Sequence, residues 1–305
     1  MNRFFLAGMV LLPVSVRAQA TPGYTSKSAV VERTTEADAI GRPSPADASA
    51  HSRFLSSQPH MAGTPAQART RDYVISQMKS WGLETEVRSY SVWMPHPLST
   101  RVWRIAPDPI ELDLKEGPVA EDTTSSAFPQ VMAFNGYGAA GDVSGEVVYV
   151  NYGLIEDYAQ LDSMGVSVKG KIAIARYGRS YRGIKAREAE KHGAAGLLIY
   201  SDPADDGFMR GDVYPKGPMR PSQGIQRGSV MNPNGDPSTP GYPSTANARR
   251  IPVGKMEIPR IPVLPISYGN AAELLRGLSG KSIPQPWQGG LSFRYHVGPG
   301  PVQAR

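Results

Sequence analysis

The sequence contains five histidines, His51, His60, His96, His192 and His296, and their spacing forms no metal-binding pattern. Neither an H-x-x-x-H nor an H-E-x-x-H arrangement is present, and no carboxylate stands at a recognisable ligand spacing from any of them. Surface or structural roles are therefore expected for all five. His192 falls at the predicted end of a helix, where a cation suits the dipole. Cysteine is absent, which excludes thiolate zinc sites and cysteine nucleophiles. A G-x-S-x-G elbow is also lacking, because Gly228-Ser229 continues into Val230-Met231. The glycine-rich run 136–141 has no following lysine and reads as turns rather than a phosphate loop. Asp202, Asp205 and Asp206 leave two readings open: hard-oxygen ligands for calcium, or a turn around Pro203. Their spacing fits no calcium loop, which favours the turn.

The elements that would carry these residues follow from pattern. A polar stretch at 21–43 reads as a flexible leader, and a first helix is expected at 46–55. Thr64, Pro65 and Gln67 make a helix start, Val74, Met78 and Trp81 recur on one face, and Gly82 supplies the stop. Strands are expected at 84–92 and 101–106. A Pro/Gly/Ser/Thr-rich stretch at 107–140 reads as a domain crossing. Beyond it a β-α-β-α-β rhythm is predicted, with strands at 146–151, 171–176 and 196–200 and helices at 155–164 and 183–192. A long insertion at 201–257 follows, then a strand at 261–266, a helix at 270–276 and a strand at 291–297.

Bulk properties narrow the class. The 305 residues suffice for two domains. A net charge of +6, part of it from Arg3 and Arg17, is spread without a basic block, so no nucleic-acid partner is expected. Residues 1–20 have a basic start, an apolar stretch too short to span a bilayer and the Ala18-Gln19-Ala20 cleavage pattern. They read as a signal peptide or, alternatively, an uncleaved anchor. After cleavage no membrane association is expected, and the product would be periplasmic or extracellular.

Several ordered stretches carry a more specific signal. They are Pro59-His60-Met61-Ala62-Gly63-Thr64, Val148-Tyr149-Val150-Asn151-Tyr152, the Ile-Ala-Arg-Tyr-Gly core within 170–183, Gln226-Arg227-Gly228, Thr239-Pro240-Gly241-Tyr242-Pro243 and His296-Val297-Gly298-Pro299-Gly300. Together these resemble the glutamate carboxypeptidase II (prostate-specific membrane antigen) family of zinc peptidases over about 46–301. The resemblance implies an α/β fold. A mixed α/β protease-associated (PA) domain at 107–300 would be inserted after a partial zinc-peptidase segment at 44–106, with 301–305 starting the return to the peptidase domain.

The resemblance also implies a role. The PA domain would act as the lid and substrate-recognition part of an exported zinc exopeptidase. Both zinc ions and their ligands would belong to a peptidase half beyond residue 305, so this chain alone is expected to be inactive. Leu154 falls where the family has a carboxylate-binding arginine, and Ser229 where it has a pocket asparagine. Both changes argue against acidic-dipeptide specificity, although Arg176 or Arg179 is near enough in sequence to compensate. Thr239 and Tyr242 match two contributors to a structural calcium site. Implied partners are the peptidase half, a peptide substrate and a second copy of the chain. The alternative is a non-catalytic secreted binding module of the transferrin-receptor type, and a defective fragment is a third reading.

Overall fold

The computed structural model describes residues 21–305, so the expected signal peptide lies outside the described residues. The chain divides into two compact units, 1–57 and 58–305. Among the described residues the first contains two helices, α1 (Ser26–Gly41) and α2 (Pro45–Leu55). The helix α1 corrects the reading of 21–43 as a flexible leader. Its sequence has no apolar stripe, but it is held at its start by a reciprocal cap in which the Ser28 amide donates to Thr25 Oγ1 and the Thr25 amide to Ser28 Oγ. Helix α2 begins with Ser44 as cap and Pro45 in its first turn, close to the expected start.

The second unit opens with α3 (Pro65–Ser80), capped by Thr64, whose Oγ1 accepts the Gln67 amide. The expected apolar face is present, yet no residue of this helix is buried, and Val74 and Trp81 are exposed. Helical stability comes mostly from packing one face. Amide exchange at 74–81 should therefore be faster than at 172–175 by orders of magnitude, and equal protection would contradict this account.

A seven-stranded mixed sheet forms the centre of the unit. Its strands are β1 (Trp103–Ala106), β2 (Ile110–Glu111), β4 (Gly145–Tyr149), β5 (Ile172–Arg176), β6 (Gly196–Tyr200), β8 (Val263–Ile266) and β9 (Gln303–Ala304), in the order β2-β1-β9-β4-β5-β6-β8. A short parallel pair, β3 (Asn135–Gly136) with β7 (Gly228–Ser229), lies apart from it. The run β4-β5-β6-β8 is parallel, while β9 and β1 add antiparallel strands on the β4 side. The parallel strands are continuous apolar runs because both faces are covered, and β5 and β6 are buried throughout. Pro265 is accommodated in β8 because β8 is the sheet edge, where a missing N–H breaks no ladder.

Crossover helices α5 (Ile155–Ser163) and α6 (Arg182–Lys191) join β4 to β5 and β5 to β6. Helix α8 (Tyr268–Leu275) buries Ala271, Leu274 and Leu275. Two four-residue helices, α4 (Thr124–Ala127) and α7 (Pro203–Asp206), punctuate the loops.

Two expected strands do not form. Residues 84–92 alternate as a strand would, but no ladder runs along them. The backbone there is held at single points, the Ser91 amide donating to Ser244 O. Residues 291–297 are drawn out of strand geometry by side chains: the Leu291 amide donates to Tyr295 Oη and the Tyr295 amide to Gln288 Oε1.

Candidate functional site

The parallel strands β4, β5 and β6 point their C-terminal ends at one cluster of loops, 150–154, 177–182 and 201–206. In open α/β sheets this edge commonly presents binding groups. The first loop turns on Asn151 and Gly153, both at positive φ, 51° and 65°. Asn151 Nδ2 donates to Asp157 Oδ1 at 2.8 Å, and the Leu154 amide donates to Asp157 Oδ2 at 3.0 Å. Leu154 thus enters α5 half-buried, with its backbone fixed by an acidic residue in the first helical turn. Burial raises the Asp157 carboxyl above its usual range, against those two hydrogen bonds.

Behind this loop lies a charged cluster around Tyr152. Arg176, 2% exposed at the end of β5, lays its guanidinium 4.1 Å from the Tyr152 ring centre. Its Nη2 donates to Asn151 Oδ1 at 2.8 Å, and its Nη1 stands 3.5 Å from Asp205 Oδ2. The Tyr152 hydroxyl donates to Asp205 Oδ1. Lys185, wholly buried in α6, donates from Nζ to the carbonyls of Tyr152 and Gly178 at 2.7 and 2.8 Å. Burial pulls its ammonium down to about 8. The lysine pins the first two loops together, and their shape depends on it.

The third loop is organised by Asp202, which has no exposed surface. Its Oδ1 accepts the amides of Ala204 and Gly290, and its Oδ2 accepts the hydroxyls of Tyr200 and Tyr295. The close approach requires glycine at 289, where an added Cβ would lie 2.0 Å from Asp202 Oδ2. Asp206 pairs with Arg220 at 2.8 Å. The Asp202–Asp206 cluster is therefore a turn held by protein donors, as the spacing suggested.

Ser229 lies in β7 beside the 177–182 loop. Its carbonyl accepts the Tyr181 hydroxyl at 2.8 Å, and its Oγ accepts the Met231 amide. Only Ser229 is in contact with that loop; Leu154 is held by Asp157 at the start of α5. Of the two arginines able to compensate for Leu154, Arg176 is committed inward to Asn151 and Asp205. Arg179 is exposed, at φ 61°, with its guanidinium 5.0 Å from the Tyr152 ring centre and no ion pair among the described residues.

Thr239 and Tyr242 belong to a different loop, centred on Asp236. Desolvation pushes this carboxyl up, but donors from Trp93, Ser238 and Ser244 together hold it well below the usual carboxylate range. Arg250 closes the site with an ion pair at 2.9 Å. Thr239 Oγ1 shares a 2.7 Å hydrogen bond with Ser244 Oγ, and the Tyr242 hydroxyl donates to Arg249 O. Both side-chain oxygens are hydrogen-bonded within the chain, and the nearby carboxylate is surrounded by protein donors. Among the described residues no three His, Asp or Glu side chains form a group that could hold a metal. Of the histidines, His192 stacks on Tyr158 with ring centres 4.3 Å apart, and its Nδ1 lies 2.8 Å from Glu188 O.

The PA domain family matches residues 143–274, the stretch that supplies β4 to β8 and all three loops of the cluster. A glutamate carboxypeptidase 2 homolog of Caenorhabditis briggsae is 38% identical over 81% of this chain and 34% of its own length. The chain carries a PA domain and is a relative of the glutamate carboxypeptidases. A second relative, the aminopeptidase NAALADL1 of Mus musculus, is 33% identical over 81% of this chain and 35% of that protein. Among solved structures, an aminopeptidase from Aneurinibacillus sp. strain AM-1 superposes with a TM-score of 0.35 and 25% identity over 60% of this chain and 34% of that one, too loosely to bear on the fold. The chain spans about a third of the length of the curated relatives it matches.

The loop cluster is thus part of the PA domain. Sequence reasoning singled out Leu154 and Ser229 by motif correspondence alone. It missed the buried roles of Lys185 and Asp202. Lys185 sits on a helix with no apolar stripe, and the partners of Asp202 at 290 and 295 are too distant in sequence to leave a local signal. Among the described residues no helix is long and apolar enough to cross a membrane.

Proposed function

We propose that this chain is the substrate-recognition and lid part of an exported zinc exopeptidase, acting with a peptidase portion outside these 305 residues that binds the zinc. The observation that carries the reading is the run of identity to a glutamate carboxypeptidase homolog and to an aminopeptidase across 81% of the chain. Exposed apolar side chains support a partner surface: Val87, Tyr90, Val92, Met94 and Leu98 lie along one unpaired extended segment. Their exposure fits a face that packs against the peptidase portion.

Leu154 at the start of α5 and Ser229 beside the 177–182 loop would face the substrate. A neutral Leu154 offers apolar contact where an arginine would offer a bidentate ion pair. Peptides with a hydrophobic terminal residue are therefore the proposed substrates, in preference to acidic dipeptides. The test is kcat/KM for a glutamate-terminated against a leucine-terminated dipeptide, in the complete enzyme and in Leu154→Arg. A charge-assisted hydrogen bond contributes roughly 1.5–3 kcal/mol, so the arginine should shift the ratio toward glutamate by about tenfold to a hundredfold. An unchanged ratio would remove Leu154 as the determinant.

A further inference from the structure

Two asparagines stand directly before a glycine, Asn135 and Asn234, and the fold treats them oppositely. Such a pair is chemically labile, because glycine has no side chain to keep its amide nitrogen away from the asparagine side-chain carbon. Asn135 and Gly136 are buried in β3 and paired with β7. A Cβ on Gly136 would stand 3.0 Å from Pro95 Cγ, so the backbone there has no room to turn. Asn234 and Gly235 are both exposed. Gly235 has a φ of 82°, and a Cβ built on it would meet nothing within 4 Å. Among the described residues neither its amide nor the Asn234 side chain makes a hydrogen bond. Asn232 is excluded from the same chemistry, because Pro233 has no N–H to offer.

The residue after this pair is Asp236, a buried anchor. Its Oδ1 accepts the Ser238 amide at 2.8 Å, and its Oδ2 accepts the Trp93 amide at 2.9 Å and the Ser244 hydroxyl at 2.8 Å. Arg250 bridges Asp236 to the Ser91 carbonyl. Segment 91–93 is thus tied to the 236–250 loop through a carboxylate that follows Gly235 directly.

We propose that Asn234 is a site of spontaneous deamidation to isoaspartate, and that the lengthened backbone loosens the hold of Asp236 on segment 91–93. The Gly235 amide nitrogen attacks Asn234 Cγ and a C–N bond forms. The Cγ–Nδ2 bond breaks, and ammonia leaves with the proton that the Gly235 nitrogen gives up. Water then opens the five-membered succinimide. Opening at the main-chain carbonyl routes the chain through the former side chain, which adds one methylene to the backbone and leaves a carboxylate. The reaction does not depend on the peptidase reading.

The full chain, aged in mildly alkaline buffer, tests it. Peptide mapping by mass spectrometry should locate a gain of about 1 Da at Asn234. The gain at Asn135 should be at least about tenfold slower, because that pair must first open locally. In urea the two rates should converge, since the unfolded chain distinguishes them little. The isoaspartate form, separated from the parent by its added negative charge, should exchange the Trp93 amide at least about threefold faster. A freshly prepared Asn234→Asp variant adds the charge without the methylene and should exchange that amide as the parent does. No gain at Asn234, or equal rates at both asparagines in the folded chain, would overturn the site. Unchanged Trp93 exchange in the isoaspartate form would overturn the loosening, and equally fast exchange in Asn234→Asp would overturn backbone lengthening as its cause.

Discussion

Asp202→Ala should lower the unfolding free energy by about 3–5 kcal/mol, the cost expected when a buried charged network loses its centre. Four donors converge on this carboxylate, and two of them are phenols, Tyr200 and Tyr295, with no exposed surface. Each donor left without an acceptor costs roughly 1–3 kcal/mol, though the losses overlap because the residues can relax together. The contrast is Asp205→Ala. Its carboxylate is partly exposed and holds one hydroxyl and one long ion pair, so a loss of about 1 kcal/mol is expected there. Urea unfolding of the two variants beside the parent would decide it. A loss below about 1 kcal/mol for Asp202→Ala would mean that the 288–295 loop is held by other contacts.

Stability should rise between about pH 8 and pH 10 and then fall. Lys185 governs the rise. Its ammonium is drawn down to about 8 when folded, against 10.5 when free. In that interval the unfolded chain holds a proton that the folded chain has released, so raising the pH favours the fold. Below about 8 both states are protonated and the burial penalty is paid in full. Relief of the penalty amounts to at most about 3 kcal/mol. The fall belongs to Tyr149, Tyr158, Tyr200 and Tyr295, whose hydroxyls burial raises above their free value. They keep their protons in the fold and lose them on unfolding, so their contribution fades as pH rises above about 10. Denaturation midpoints measured from pH 7 to 11 should show this maximum. The rising limb should vanish in Lys185→Met while the falling limb remains. Parallel curves for parent and variant between pH 8 and 10 would sink the assignment.

These two residues also mark where the sequence stopped being legible. The parallel core was readable because β4, β5, β6 and β8 are short, mostly apolar runs, the first three separated by α5 and α6. Burial on both faces leaves that mark in a single strand. Helix α1 was missed because it has no apolar stripe, and its cap hydrogen bonds are the only local signal. The stretch 84–92 was overread for the opposite reason. It alternates like a strand, but a strand needs a neighbour, and alternation says nothing about whether one is present. Strand β9 is two residues long and exists only because β1 and β4 lie on either side of it. Leu154 and Ser229 were singled out by motif alone. Lys185, on a helix with no apolar bias, and Asp202, beside a proline turn, carry no local sign of their burial.

The position of β9 between β1 and β4 has a structural corollary. Trp103 and Arg305 exchange both backbone hydrogen bonds, at 2.9 and 3.0 Å, although some two hundred residues separate them. The two ends of the intervening chain therefore leave the sheet side by side. A segment whose ends meet can be lifted from one host and grafted into another with little loss of closure entropy. The stretch from β1 to β9 behaves as a cassette: its junctions are two adjacent strands, and a host loop of a few residues could be exchanged for it without moving anything on either side.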